Sequence, residues 1–324
     1  MFTNASNGIT SFGVPLPMIG MPTQGKYIFV KPRTGLDGNS GLSLYEAVKT
    51  LKRALAIATS NQNDTILFFA EGNSESDTTD YQSETLTWDK DLVHLVGVCS
   101  PVMYSQRSSI SQLSTATGIS PLMNITANGC MFLNFSISHF VADATSKRCL
   151  QVTGQRNYFK NVAVQGIGNA TMDVATACSL VLSGASENVF ENCTIGLDTI
   201  ARTTSTYEVI MQSAATRNSF INCIFPTYSG TAGRFFLSAN TSGALGRTTL
   251  FENCKFINAI KSSATQMTEA FDVHSSAGGL ILLKDCTLLG ATDWEANTES
   301  TCTYIDGGAP VNNTSGLAVL VEAT

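Results

Sequence analysis

Charged side chains are scarce in this chain, and their scarcity limits the kinds of partner that the chain could bind. Asp, Glu, Lys and Arg make up 14% of the 324 residues, against roughly 25% in ordinary soluble domains. The formal net charge is −6. A weakly acidic chain offers no basic surface for nucleic acid and no attraction to an anionic membrane. We therefore predict neither nucleic acid nor membrane as a partner.

Long apolar runs and an export signal are missing as well. No segment approaches the ~20 apolar residues that span a bilayer. Residues 1–10 have neither the cationic nor the apolar region of a signal peptide. The nine cysteines are an odd number. Without export, they are expected to be free thiols of a protein made in the cytoplasm of the producing cell.

Repetition, in contrast, is abundant. A six-residue block with Phe or Leu first and Asn or Asp third recurs six times, and the third positions are 27, 31, 30, 31 and 32 residues apart. The blocks are Phe132–Ile137, Phe159–Val164, Phe190–Ile195, Phe220–Phe225, Phe251–Phe256 and Leu283–Leu288. A second apolar block precedes each one, beginning at Leu122, Leu150, Leu180, Val209, Phe236 and Phe271.

A period near 30 residues without a helical pattern indicates a coil that winds on itself. The sequence predicts an all-β, right-handed parallel β-helix solenoid with a short N-terminal capping helix. Each strand would pair with the same strand one coil away, at ~4.8 Å. Hairpin signals between strands, which an antiparallel fold would need, are nearly absent.

Stacking assigns structural roles to the repeated residues. We expect three ladders: an interior aromatic ladder, an Asn ladder at a bend that needs left-handed backbone, and an interior column of small thiols. Their members are Phe132, Phe159, Phe190, Phe220, Phe251; Asn134, Asn161, Asn192, Asn222, Asn253; and Cys193, Cys223, Cys254, Cys286. The alternative for the cysteines is a metal or redox site, but zinc needs ligands that converge. We predict no cofactor, metal or catalytic residue.

The ends differ from the repeats, which divides the chain into four parts. Residues 1–24 are an extended arm rich in Gly and Pro, 25–100 an N-terminal cap, 101–290 the β-helix coils and 291–324 a C-terminal closing segment. In the cap, Leu44 to Ala58 has helical spacing. Ser43 is the predicted N-cap, with Glu46 completing a capping box.

The strand blocks contain few residues that could be catalytic. Their acidic residues are Glu191, Glu252, Asp272 and Asp285, and Glu191 and Glu252 lie two coils apart, roughly 10 Å. Other candidates are loop acids and dispersed histidines. These are Asp77, Asp80, Asp143, Asp173, Asp198, His94, His139 and His274. The loop acids are not expected to converge; Asp77 and Asp80 could bind a cation, but a solvated loop is favoured there. Solvated or hydrogen-bonded roles are expected for the histidines.

Several phrases resemble known proteins. The phrase over 84–98 is similar to the start of pectate-lyase-like β-helix proteins, and those over 185–193, 214–218, 293–297 and 306–310 resemble bacteriophage virion β-helix proteins. The resemblance implies a virion protein, often trimeric, of the capsid decoration, cement or head-fibre kind. Longer relatives are tailspikes that bind or cleave surface glycans.

We therefore predict a structural phage virion protein that is not an enzyme. It would lie on the capsid exterior as a homotrimer and act through interfaces with the major capsid protein or another virion protein. The arm 1–24 is a candidate docking strap. The alternatives are a tailspike-like polysaccharide lyase or hydrolase and a glycan-binding adhesin, for which a host-surface glycan is the candidate partner.

Overall fold

The chain winds into a parallel β-helix of about seven coils. The computed structural model describes residues 10–11, 14–15, 25–72, 74–258, 265–295 and 303–306. Three long sheets run along the axis, and within each sheet every neighbouring pair of strands is parallel. The predicted fold class, a right-handed parallel β-helix, is confirmed.

Sheet 1 has ten strands and carries the phenylalanine blocks. They are Tyr27–Val30, Thr65–Phe69, His94–Val98, Met131–Leu133, Tyr158–Lys160, Val189–Glu191, Ser219–Ile221, Thr248–Glu252, Leu280–Lys284 and Thr303–Asp306.

Sheets 2 and 3 follow sheet 1 in every coil. Sheet 2 consists of Thr79–Gln82, Ser109–Gln112, Ser136–Ser138, Ala163–Gln165, Thr194–Ile195, Leu197–Arg202, Ile224–Ser229, Lys255–Asn258 and Thr287–Leu289. Sheet 3 consists of Leu86–Trp88, Met123–Ile125, Arg148–Val152, Cys178–Ser183, Tyr207–Gln212, Phe235–Ala239 and Phe271–Val273. A short parallel pair, Met267–Glu269 with Ala291–Asp293, extends the last coils.

The interior is built from stacked rings. Phe132, Phe159, Phe190, Phe220 and Phe251 lie in register, with successive ring centroids 4.9, 4.4, 4.8 and 4.8 Å apart. All five are at most 1% exposed. Stacked aromatic pairs add roughly 0.5–1.5 kcal/mol each beyond the area they bury, so the ladder ties each coil to the next.

The bend between sheets 1 and 2 is left-handed in every repeat. The third residue of each block, from Asn134 to Asp285, has φ between 51° and 60°. Asn and Asp are among the few residues that tolerate this conformation. The turn breaks strand alternation, so both the Phe and the Cys three positions later point inward.

A second asparagine ladder lies at the corner between sheets 3 and 1, and the sequence analysis missed it. Asn157, Asn188 and Asn218 are at most 1% exposed. The amide oxygen of each accepts the backbone N–H of the equivalent residue one coil earlier, at 2.8–3.1 Å. Each amide nitrogen donates to a carbonyl of the preceding turn. These asparagines satisfy backbone groups that the corner leaves unpaired.

The register of sheet 3 differs from the prediction in two coils. Leu150, Leu180 and Val209 are register partners on neighbouring coils, as predicted. In the coil before Leu150 the partner is Met123, and in the coil after Val209 it is Leu237. Each lies one position after the predicted residue, Leu122 or Phe236. Around Phe236 the strand is irregular, since the N–H groups of Phe236 and Leu237 both point at the carbonyl of Ala270. Periodicity alone does not reveal such an irregularity.

The capping helix is shorter than predicted. It spans Leu51–Ile57 with Thr50 as N-cap, so the prediction of Leu44 to Ala58 capped by Ser43 is wrong. Val48 instead forms a parallel bridge with Val30, and the Asp37 carboxylate accepts the N–H groups of Lys49 and Thr50. β-pairing thus overrides helical spacing there. No helix in the described ranges has the length and apolar character to cross a membrane.

Much of both ends lies outside the described residues. Within the predicted arm, the structure gives only the antiparallel pair Thr10–Ser11 and Val14–Pro15. The last predicted strand, 317–321, is also outside. Trp294 is 5% exposed and packs on Phe256 and Phe271. It covers the core at the last described coil.

Replacing Asn188 with Ala should destabilise the fold strongly. The change leaves the N–H of Asn157 and the carbonyl of Gly154 buried without partners, at about 1–3 kcal/mol each. Urea unfolding should show a loss of about 2–4 kcal/mol in the free energy of unfolding. The control is Asn222→Gly at the exposed outer ladder, where glycine accepts the φ of 55° and the loss should stay below about 1 kcal/mol. Equal losses would contradict the role of the buried ladder.

Candidate functional site

Sheet 2 has little free outer face in its middle coils. The segment 99–107 crosses it, and the carbonyls of Met103, Tyr104 and Gln106 accept hydrogen bonds from the side chains of Thr194, Gln165 and Ser136. Farther along, Arg202 is 2% exposed and pairs with the buried Glu208 at 3.1 Å. The Arg202 guanidinium also donates to four carbonyls. This network is internal and closed to a ligand.

Sheet 1 presents ion pairs on its outer face. Glu191 binds Lys160 at 2.8 Å, and Glu252 binds Lys284 at 2.6 Å. In register, Ile221 lies between the two glutamates, as the sequence predicts. Each carboxylate is neutralised by a lysine one coil away, so they do not form an acid–base pair.

Sheet 3 carries the most chemically varied outer face. Tyr207 and Phe235 are half-buried and stack at 5.8 Å between ring centroids. The Tyr207 hydroxyl donates to Asp272 at 2.7 Å, and Asn240 donates to the same carboxylate oxygen at 2.9 Å. Burial, and then the hydrogen bond to Asp272, raises the pKa of Tyr207. Three successive coils thus contribute to one cluster of aromatic and polar groups.

Two further carboxylates lie beside this cluster. Glu269 and Asp293 are direct partners on adjacent parallel strands, and both are half-exposed. Glu269 is three residues before Asp272. We define the sheet 3 cluster as Tyr207, Phe235, Asp272, Glu269 and Asp293.

The Glu269–Asp293 pair is unusual because both of its side chains are acidic. The other in-register charged pairs of the described strands, such as Lys160 with Glu191 and Glu252 with Lys284, are opposite in sign. Like charges directly opposite each other destabilise a sheet. Among the described strands, this one like-charge pair lies beside the half-buried Tyr207–Phe235 stack, where a ligand could use it.

Two of the loop acids named from the sequence, Asp143 and Asp173, have structural roles, whereas Asp198 is exposed on the strand Leu197–Arg202. Asp143 accepts hydrogen bonds from Ser146, Thr145 and Gly118, which hold the pKa of its carboxyl below its usual range although burial opposes them. Asp173 similarly holds the backbone at 203–205. These residues fix loops and do not converge with the cluster.

The acidic segment before sheet 3 is not simply solvated. Asp77 pairs with Arg33 at 3.5 Å, but Asp80 is 4% exposed and accepts the N–H of Leu51 at the start of the helix. Burial raises the pKa of Asp80 to about 6. The expectation of a solvated loop is therefore wrong for Asp80, which occupies the interior register position of Ile110 one coil earlier.

The cysteine column is arranged for packing. The thiols of Cys193, Cys223, Cys254 and Cys286 each donate to the carbonyl of the phenylalanine one coil earlier, at 3.3–3.6 Å. Burial raises the pKa of the Cys223 thiol well above its usual range, which disfavours thiolate chemistry. In the part of the chain that the structure describes, no group of three or more His, Cys, Asp or Glu could hold a metal ion.

Two of the three histidines are buried in the neutral form. His94 accepts the N–H of Met131 at Nδ1 and contacts Asn63 Oδ1 through Nε2 at 3.2 Å. His139 is 0% exposed, and neither ring nitrogen has a hydrogen-bond partner, so the expectation of a solvated or hydrogen-bonded ring is wrong for it. Burial lowers the pKa of both to about 4.

Comparisons with known proteins identify the fold and no family. No protein-family model and no curated protein sequence matches this chain. Pectate lyase Pel9A is similar in structure (TM-score 0.57, 16% identity over 82% of this chain and 64% of its own), so the chain spans about two thirds of that enzyme. A rhamnogalacturonan lyase has a TM-score of 0.55 and 13% identity over 82% of this chain and 68% of its own. Pectin methylesterase PemA from Erwinia chrysanthemi has a TM-score of 0.54 and 15% identity over 88% of this chain and 91% of its own.

These neighbours correct the prediction that the chain is not an enzyme. The structures that it resembles are a pectate lyase, a rhamnogalacturonan lyase and pectin methylesterases, all of them enzymes. The prediction considered the acidic residues of the strand blocks and five loop acids, and Glu269 and Asp293 belong to neither group. The virion location, the capsid partner and the trimer remain predictions.

Acidification should destabilise the protein through its buried histidines. Their folded-state pKa values lie below the 6.5 of an unfolded histidine, so their stabilisation is complete above pH 6.5 and is lost as the pH falls toward 4. Each contributes about 3 kcal/mol over that window. In urea unfolding at pH 7 and pH 4.5, His94→Gln should lose markedly less stability than the parent chain.

Asp80→Asn provides a control of opposite sign. The raised pKa of Asp80 means that its protonation stabilises the fold as the pH falls below 6. Removing that carboxyl should make the loss on acidification larger. Identical pH dependence in all three proteins would contradict both assignments.

Proposed function

We propose that this protein binds a polysaccharide across the outer face of sheet 3 and cleaves it at the Glu269–Asp293 pair. The observation that carries the proposal is the half-exposed Tyr207–Phe235 stack, fixed by Asp272 and lying beside two carboxylates in register. The proposal corresponds to the tailspike-like alternative of the sequence analysis. The fold shared with pectate and rhamnogalacturonan lyases supports it.

Recognition would use the aromatic stack and its polar neighbours. Aromatic rings offer a flat apolar surface to the C–H face of a sugar ring, and Tyr adds a polar group at its edge. On the same sheet, Asn240 and Gln212 carry amide groups that could bind sugar hydroxyls. An extended glycan could therefore run along the axis, one coil after another.

Cleavage would use the two carboxylates as acid and base. In-register strands are ~4.8 Å apart, and glycoside hydrolysis needs carboxyl groups about 5–9.5 Å apart. We assign Glu269 as the acid that protonates the glycosidic oxygen while the bond to the anomeric carbon breaks. Asp293, which already accepts the N–H of Trp294 at 2.9 Å, is the carboxylate that attacks that carbon, and Glu269 then deprotonates the water that displaces it. Water supplies the hydroxyl of one product and the proton of the other.

Substituting the aromatic residues tests binding. Tyr207→Ala and Phe235→Ala should each weaken binding to the responsive polysaccharide about tenfold, because one stacking surface is lost. The ligands are polygalacturonate, pectin, rhamnogalacturonan, neutral glucans and bacterial surface polysaccharides, measured by affinity electrophoresis. The matched control is Tyr158→Ala on sheet 1. Unchanged mobility of the two sheet 3 variants would remove the face from the proposal.

Substituting the carboxylates tests cleavage. Glu269→Gln and Asp293→Asn should each reduce the release of reducing ends at least 100-fold while binding is retained, since general acid–base groups contribute about 10²–10⁴-fold. Glu252→Gln, on the other side of the molecule, should retain full activity. If the parent chain binds a glycan but never shortens it, the catalytic half of the proposal fails and the adhesin alternative stands.

A further inference from the structure

The outer face of sheet 1 is apolar along one register column of its first four strands and charged beyond them. The residues of this column alternate with the fully buried interior residues of the same strands, so they point outward. In order they are Phe29, Leu67, Val96, Leu133, Lys160 and Glu191. Two further apolar residues, Phe69 and Val98, are register partners beside this column. We define the sheet 1 apolar face as Phe29, Leu67, Phe69, Val96, Val98 and Leu133.

The sheet 1 apolar face is ordered and open to solvent. The rings of Phe29 and Phe69 stack with centroids 6.2 Å apart. Val98 is 38% exposed, and the other members are half-buried. Lys31 closes one edge, because its Nζ lies 6.0 Å from the Phe69 ring centroid and 3.4 Å from Glu71. A contiguous apolar surface with a polar rim marks a place where another element or chain packs.

The chain enters the β-helix beside this face. Gly25 has a φ of 95°, and a Cβ there would lie 2.3 Å from the carbonyl oxygen of Asn63. The N–H of Lys26 donates to Asp64 Oδ1 at 2.9 Å. Asn63 and Asp64 belong to the turn of the next coil, so the attachment point of residues 1–24 is on the side of the β-helix. Phe29 follows four residues later, about 13 Å along an extended chain.

The sequence of residues 1–24 suits such a face. This segment contains no charged side chain. Val14, Leu16 and Met18 alternate with two prolines, and alternate residues of an extended chain lie on one side. Proline favours extended backbone and lacks the N–H that a sheet ladder needs, so the segment fits a sheet face better than a sheet edge. Its reach of at most ~80 Å exceeds the ~14 Å between the first and fourth strands.

We propose that residues 1–24 fold back on the sheet 1 apolar face of the same chain and cover it with Val14, Leu16 and Met18. Attachment at Gly25 favours the chain's own segment over that of a second copy, because a tethered segment meets the face at an effective concentration on the order of millimolar. A charged partner would lose hydration there without gaining a counter-charge. The contact goes beyond the proposed function and does not depend on it, because it shares no residue with the sheet 3 cluster.

Photo-crosslinking of the full-length chain tests where this segment lies. Leu16 is replaced by the photoreactive amino acid p-benzoylphenylalanine, and crosslinked peptides are identified by mass spectrometry. Crosslinks should form within one chain and lead to the first four strands of sheet 1. The proposal is overturned by crosslinks between chains, by crosslinks to sheet 3 or to the loop around Tyr45, which is 99% exposed, or by the absence of crosslinks.

Substitutions on the face test whether it holds the segment. Leu67→Glu and Leu133→Glu should each release residues 1–24, so that chymotrypsin cleaves within them at least about tenfold faster, since proteolysis follows the population of the open form. The sheet should tolerate Leu133→Glu, because the new carboxylate lies in register with Lys160. Cleavage at the parent rate in both variants would contradict the contact.

A matched control uses the same column outside the face. Ile221→Lys lies between Glu191 and Glu252 in register and should leave the cleavage rate unchanged. An equal acceleration in this variant would show that the effect is not specific to the face and would also overturn the proposal. Thermal unfolding of each variant separates release of the segment from loss of the fold. If a face variant does not fold, the crosslinks of the otherwise unaltered chain decide the question.

Discussion

Equivalent residues of consecutive coils lie directly over one another at the strand spacing, and this constraint governs the rest of the structure. Inside, it favours side chains that stack on copies of themselves, which explains the phenylalanine ladder and the thiol column. Outside, it penalises repeated charge, because a charge on one coil faces the same position on the next. The low charge of the whole chain follows from this. Where charged residues are in register on the described strands, they are opposite in sign, as in Lys160 with Glu191, except for Glu269 with Asp293.

The same constraint decides how much the sequence could predict. A block that recurs with Phe, Asn and Cys in fixed order specifies the coil and the left-handed bend, since each ladder needs the same residue type in every repeat. The inner ladder of Asn157, Asn188 and Asn218 was equally visible, always two residues before the phenylalanine, but attention to apolar positions missed it. Local exceptions were not predictable: Val48 leaves its helical pattern to pair with Val30.

The candidate site was hidden for a different reason. The loops between sheets 2 and 3 vary in length, so the sequence does not show that Tyr207 reaches Asp272, 65 positions later. Glu269 and Asp293 belong to a short extra pair of strands outside the recurring blocks. They were therefore among neither the acidic residues of the repeats nor the five loop acids that the sequence suggested. Irregular coils can accept residues that regular stacking disfavours. A binding or catalytic site is therefore more compatible with these coils than with the regular repeats.

Charge also bears on which polysaccharide would fit. The proposed cleavage site contains Asp272, Glu269 and Asp293, and the guanidinium of the neighbouring Arg234 is already bound to Thr231, Thr204, Ser205 and Thr206. A uronate chain would meet these three carboxylates, and repulsion between like charges is unfavourable at short range. Although the fold is shared with enzymes named for pectate and pectin, the charge of the proposed cleavage site is better suited to a neutral glycan.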